Sequence, residues 1–207
     1  IELLVIGADD ELVAAAQCAE VRNSVREKYG INDDDFLIMT GGKIDTAKKQ
    51  TLLLMEAIKR INRKDVKLIV FGSVTPELKS AVENSCCGTT VQYVGWISSD
   101  ESYVHFAAAD LVVFPGRHSV FWEQVVGLGI PMLVKFWKGT THVDVGGNCD
   151  FLYEDSVDEI QNKIQALIDD PVRYNEMKRV AETKGMDIFS YRSIAEKSIA
   201  EDKLSWN

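Results

Sequence analysis

Short apolar runs alternate with stretches of helical periodicity from residue 36 onward. Phe36-Leu-Ile-Met-Thr40 has the length and side chains of a buried strand and ends in Gly41-Gly42. Asp45 or Thr46 is then expected to cap a helix whose apolar positions Leu54, Ile58 and Ile61 recur at four and three. Lys67-Leu-Ile-Val-Phe71 reads as a second strand closed by Gly72-Ser73, and Thr75-Pro76 has the N-cap and N1 chemistry of a helix running to about Asn84. Thr89 to Val94, rich in β-branched and aromatic residues, is a third strand. Ser99-Asp-Glu opens a helix with Tyr103, Phe106 and Ala107 on one face, and Asp110 breaks it before strand four, Leu111-Val-Val-Phe114. Ser119 to about Leu128 reads as a helix, Gly129 as its terminator, Ile130 to Val134 as strand five and Phe151 to Tyr153 as a shorter sixth. Asp155 or Ser156 caps a helix to about Asp169, Pro171 starts another, and Tyr191 to Leu204 forms a last one.

Strands separated by helices, with no Asn-Gly or Asp-Gly hairpin signal, indicate a parallel sheet covered on both faces. The fold class is α/β, a Rossmann-like doubly wound sheet with added C-terminal helices. Residues 1–30 read as a lead-in segment packing on a domain of residues 31–207. Ligands of such sheets bind beyond the carboxyl ends of the strands, so loops 41–48, 72–75, 95–98, 115–119 and 136–142 form the functional edge.

Composition narrows the function. The 207 residues are 46% hydrophobic and 27% charged, as suits one folded domain. Lys and Arg total 23 against 32 Asp and Glu, a formal charge of −9, which argues against a phosphate-backbone footprint for nucleic acid. Any anion must be held locally. Cys18, Cys86, Cys87 and Cys149 form no C-x-x-C pair and no zinc spacing with His105, His118 or His142, so a reduced, cytoplasmic setting without a metal is expected. No signal peptide and no run of eighteen apolar residues is present. The chain opens without Met inside an apolar run, Ile1 to Ile6, as a piece excised from a longer polypeptide would.

Familiar phosphate motifs are excluded first. Gly127-Leu-Gly129 lacks the third glycine of the dinucleotide fingerprint and precedes a strand instead of following one. Gly41-Gly42-Lys43 lacks the Walker spacing, and Asp33-Asp34-Asp35 reads as a solvated turn. What remains is a pair of cations at the exit of the first strand. Lys43 follows the double glycine, and Lys48 falls five residues on, where both ammonium groups can face one pocket. The plain alternative is two solvated lysines beside Lys49. A second place is Pro115-Gly-Arg-His-Ser119, where Ser119 is an N-cap or a phosphate donor, with Glu123 and Gln124 about one turn further in. For Arg117 a solvent-facing role is expected, and His118 reads as either a loop histidine or a ligand contact.

Phe36-Leu-Ile-Met-Thr-Gly-Gly-Lys-Ile-Asp-Thr-Ala-Lys48, Lys67-Leu-Ile-Val-Phe-Gly72, Val91-Gln-Tyr-Val-Gly95, Ala107-Ala-Ala-Asp-Leu-Val-Val-Phe-Pro115 and Gly127-Leu-Gly-Ile-Pro131 follow one another in the order seen in GT-B glycosyltransferases. Over roughly residues 31–185 the chain resembles the C-terminal, donor-binding half of the retaining, group 1 (family 4-like) enzymes. The resemblance implies transfer of a hexosyl group from a nucleotide-diphosphate sugar to a glycan or lipid-linked acceptor, as in polysaccharide biosynthesis. It implies no cofactor, an acceptor-binding N-terminal domain absent from this chain, inactivity of the isolated fragment, and peripheral membrane association of the full-length enzyme at the inner face. Lys43 and Lys48 would hold the donor diphosphate. Gly42, Gly72, Trp96, Ile97, His118, Ser119, Glu123 and Gln124 would contribute to donor binding, with the backbone at Trp96 and Ile97 receiving the base. The C-terminal helices, with Lys184, Tyr191, Arg192 and Trp206, would cross back to the absent half. The chain departs from the family at Gly116, where the first of two glutamates is expected, and at Gln124, the place of the second. Glu123 is therefore expected to take the ribose contact, with Gln124 as the competing assignment. Two other readings of the same residues are a nucleotide-sugar epimerase of this fold, with His118 and His142 as acid and base, and a degenerate binding module.

Overall fold

The computed structural model of the chain describes residues 5–204, so Trp206 lies outside the described residues. In chain order the elements are α1 (Asp10–Ala16), α2 (Ala19–Lys28), β1 (Phe36–Gly41), α3 (Thr51–Ile61), β2 (Val66–Phe71), α4 (Pro76–Ser85), β3 (Val91–Tyr93) and α5 (Ser99–Ala107). They continue with β4 (Leu111–Phe114), α6 (Phe121–Gly127), β5 (Met132–Lys135), a 3-10 turn (Thr141–Val143), β6 (Cys149–Leu152), α7 (Val157–Asp169), α8 (Pro171–Phe189) and α9 (Tyr191–Leu204). The strands form one parallel sheet in the order β3-β2-β1-β4-β5-β6. This is the doubly wound order, and the direction of winding reverses between β1 and β4.

Alternation along each strand divides the core in two. Leu37, Met39, Phe71, Phe114 and Val134 face one layer, where they meet Val13, Phe106, Trp122 and Phe189. Ile38, Leu68, Val70, Val113 and Leu133 face the other and meet Leu54, Ile58, Ile160 and Ile164. Both faces are covered, which is why the strands read as continuous apolar runs.

The amino-terminal ends of β1 and β4 are fixed by charge. The Asp110 carboxylate accepts from the Leu37 backbone N–H at 2.7 Å, from Arg22 at 2.7 Å and from Arg26 at 3.3 Å. Arg26 is buried and also donates to the Asn32, Asp35 and Ala108 carbonyls. So α2, within the lead-in, is tied beneath the two central strands. The chain also closes on itself: Ala8 pairs in parallel with Ser190, with Ala8 N–H donating to Phe189 O at 2.6 Å and Tyr191 N–H to Ala8 O at 3.1 Å.

Several boundaries differ from the sequence expectation. The helix after β1 starts at Thr51, not at Asp45 or Thr46, because the Asp45 carboxylate accepts from the N–H groups of Ala47 and Lys48 and turns the chain there. The helix after β4 starts at Phe121, so Ser119 is not its cap. β3 is only three residues, since Cys87 bridges back to Val91 and consumes the residues before it in a turn. Pro76 does open α4, but the Thr75 side chain makes no capping bond. Ser98 and Glu101 form a reciprocal capping box at α5, and Ser156 caps α7.

Candidate functional site

A cleft opens at the carboxyl ends of β1 and β4, where the winding reverses. It is lined by Gly41, Gly42, Lys43 and Lys48 from the loop after β1 and by Gly116, Arg117 and Ser119 from the loop after β4, among others. Its first wall is stiff. Buried Ile44 extends the pairing of β1 with β2 by one isolated step, its N–H donating to Ser73 O at 2.8 Å and its carbonyl accepting from Thr75 N–H at 3.0 Å. Lys43 is therefore held between a glycine corner and an anchored residue. Desolvation opposes ionisation of Asp45, but the Ala47 N–H, the Lys43 ammonium and the Lys48 N–H outweigh it and hold that carboxyl below the ordinary value. Lys43 pairs with Asp45 at 3.3 Å while remaining largely exposed, and Lys48 is half-buried in the same cleft.

Gly42 and Gly72 serve the backbone of this wall. Both have positive φ (125° and 124°), and a Cβ on Gly72 would overlap the Gly42 carbonyl. Gly42 N–H donates to Phe71 O at 3.1 Å and Gly72 N–H to Gly95 O at 2.7 Å, so the exits of β1, β2 and β3 are laced together. The Tyr93 hydroxyl adds a bond to Gly72 O at 2.6 Å.

Two groups that sequence reasoning did not assign to the site lie at the cleft or beside it. Arg117, expected to face solvent, is exposed but lines it. Gln50 puts its Oε1 3.3 Å from where a Gly116 side chain would begin, and that oxygen is buried without a hydrogen-bond partner. Its Nε2 donates to Asp155, which Lys135 holds at 2.8 Å. A polar acceptor thus stands close to the position where the family pattern has a glutamate. The signal for Gln50 was absent because residues 45–50 were expected to be helical.

The remaining candidates lie elsewhere. Trp96 is 72% exposed beyond β3, while Ile97 packs against the core. Glu123 and Gln124 are buried in α6. Glu123 Oε1 accepts from His118 Nε2 at 2.7 Å and His142 Nε2 at 2.8 Å, and Gln124 faces the Ser102 hydroxyl at 3.4 Å. The second oxygen of Glu123, Oε2, is buried and has no hydrogen-bond partner. His142 is brought into range by its loop: Asp144 accepts from the N–H groups of Gly146 and Gly147, and fully buried Asn148 bonds Val143 O and Val145 N–H. No helix among the described residues is long and apolar enough to cross a membrane.

Comparison with known proteins agrees with this architecture. An uncharacterized glycosyltransferase of Methanocaldococcus jannaschii, MJ1607, is 23% identical over 131 residues, 60% of this chain and 33% of that protein. The crystal structure of Anabaena Alr3699/HepE in complex with UDP superposes with a TM-score of 0.76 at 20% identity, covering 96% of this chain and 56% of that one. WaaG, a glycosyltransferase involved in lipopolysaccharide biosynthesis, gives a TM-score of 0.72 at 18% identity, covering 95% and 55%. The chain thus spans a third of the archaeal relative and little more than half of the two solved structures. The family model for glycosyl transferases group 1 matches residues 35–170, from the start of β1 to the end of α7, well over half of the sequence. The chain belongs to the glycosyl transferases of group 1.

Proposed function

We propose that this chain is the donor-binding half of a transferase that moves a hexosyl group from a nucleoside-diphosphate sugar to a hydroxyl of a glycan or lipid-linked acceptor. The observation that carries the reading is the convergence of Lys43, Lys48, Arg117 and Ser119 on one cleft at the reversal point of an otherwise acidic molecule. As the bond between the anomeric carbon and the diphosphate oxygen breaks, negative charge grows on the departing diphosphate. Cations lining that place lower the barrier by stabilising the charge as it develops. Lys43 and Lys48 supply that charge, and the Ser119 hydroxyl donates to a phosphate oxygen. The acceptor oxygen bonds to the anomeric carbon as the bond from that carbon to the diphosphate oxygen breaks, and the hydroxyl proton passes to the departing nucleoside diphosphate. The structural neighbour HepE was crystallised with UDP, which supports a nucleoside diphosphate as the ligand class. A cytoplasmic enzyme working at the inner face of a membrane, on acceptors of the lipid-linked kind, fits this reading.

Calorimetry of the chain with UDP, GDP and ADP tests it. One nucleoside diphosphate is expected to bind, and Lys48→Ala to weaken it at least tenfold. In an assembly competent for transfer the same substitution is expected to lower turnover by about 10²–10³, the loss seen when one oxyanion donor is removed. Unchanged binding in Lys48→Ala would contradict the assignment.

A further inference from the structure

Beside the cleft, three side chains from three segments converge in a way the donor reading does not use. His118 comes from the loop after β4, Glu123 from α6 and His142 from the 3-10 turn after β5. His118 Nε2 and His142 Nε2 both lie on the same oxygen of Glu123, and one ligand atom from each residue lies within 4.8 Å of the others. As a purely hydrogen-bonded cluster the arrangement is lopsided. Glu123 is 2% exposed, yet its Oε1 takes two donors and its Oε2, also buried, takes none. A buried carboxylate oxygen without a partner is destabilising, and a buried carboxylate needs a compensating positive charge. His142 Nδ1 and Trp122 Nε1 are buried and unpartnered as well, so unmet polarity is concentrated here.

We infer that His118, Glu123 and His142 form a binding site for a divalent transition-metal ion of the zinc class. Two imidazoles and one carboxylate are a donor set suited to such ions and ill suited to magnesium or calcium, which favour oxygen alone. Bonds of about 2.0–2.2 Å at tetrahedral angles separate neighbouring ligand atoms by about 3.3 Å. The two separations from Glu123 Oε1, 2.7 and 2.8 Å, reach that value with movements of about half an ångström, and the two imidazole ligand atoms lie within 4.8 Å of each other. On binding, each imidazole presents its Nε2 lone pair to the ion. The dication then meets the carboxylate charge. Ions enter from the imidazole side, since His118 and His142 are 31% and 21% exposed while Glu123 forms the closed wall. Three protein ligands leave a fourth position to water. The ion pins loops 115–119 and 136–142 to α6, and this site does not depend on what the neighbouring cleft binds.

The test starts from the chain treated with a chelator and desalted. After addition of Zn²⁺ and a second desalting, elemental analysis is expected to find one retained equivalent. His118→Ala and His142→Ala are each expected to weaken binding at least tenfold, with circular dichroism checking the fold. Glu123→Gln, which keeps shape and an acceptor oxygen, provides the variant least disturbing to packing and is expected to do the same. Exposed Cys86 and Cys87 are the obvious rival, so Cys86→Ser/Cys87→Ser should retain the ion. Co²⁺ in the unmodified chain should show ligand-field bands of a four-coordinate site without the near-ultraviolet thiolate band. No retained ion, retention unaffected by the histidine substitutions, or loss in the cysteine variant would each overturn the proposal.

Discussion

At His105 the two ring nitrogens have different tasks. Nδ1–H donates to the Glu101 carbonyl at 2.7 Å, which leaves Nε2 to accept from the Tyr29 hydroxyl at 2.8 Å. Burial pushes the pKa of the ring below the ordinary histidine value. A folded-state value below the unfolded one means that the unfolded chain binds the extra proton more readily. The contribution is complete above about pH 6.5 and is lost as pH falls below it. Thermal midpoints measured between pH 7.5 and 5 should fall more steeply in the unmodified chain than in His105→Gln; parallel curves would contradict this. The same scale shows what sequence could and could not reveal. Lys43, Lys48 and Ser119 were legible because charge or a hydroxyl at a strand exit has chemical meaning wherever the loop bends. The pairing of Glu123 with His142 spans 19 residues. It depends on a loop folded by Asp144 and Asn148, and nothing local announces that. Gln124 and Glu123 were correctly placed on a helix but not oriented, since a helix this short buries most of its circumference.

Strands were the most legible elements, because a two-sided core demands unbroken apolar runs and each run lies between turn residues. Helix starts were less so. Asp45 has the side chain of a cap and uses it on a turn, so the helix begins only at Thr51, where Leu54, Ile58 and Ile61 supply a face to bury. Glycine corners, by contrast, are a property of neighbouring elements. Gly72 sits at φ 124° with its α-hydrogen turned to the Gly42 carbonyl, so alanine there adds backbone strain and forces apart the exits of β1 and β2. Gly139 has φ 90° but faces open space. Gly72→Ala should destabilise the chain by about 3 kcal/mol, and Gly139→Ala by about 1 kcal/mol, where strain acts alone. Denaturant titration compares the two directly, and equal losses would show that the Gly42 contact contributes nothing. Lys43 borders that corner, so Gly72→Ala should also weaken nucleoside-diphosphate binding while Gly139→Ala leaves it unchanged.

For the whole molecule, the order of the sheet separates support from chemistry. Beneath β1 and β4 the Asp110–Arg26–Arg22 cluster ties the strands and α2 together, and above them the chain presents glycines and cations. The pairing of Ala8 with Ser190 adds a different property, visible only in time. Two amides, Ala8 and Tyr191, sit on one seam, each donating across it, and Ser190 also bonds Asp10. Both bonds involve Ala8, one through its N–H and one through its carbonyl, so neither can break without disturbing the other. Hydrogen–deuterium exchange should therefore find both amides equally protected, and Ser190→Ala should lower both by the same factor; independent rates would rule out a shared opening. Residues far apart in sequence would then exchange through a single event, so the segments around Ala8 and Tyr191 open as one unit.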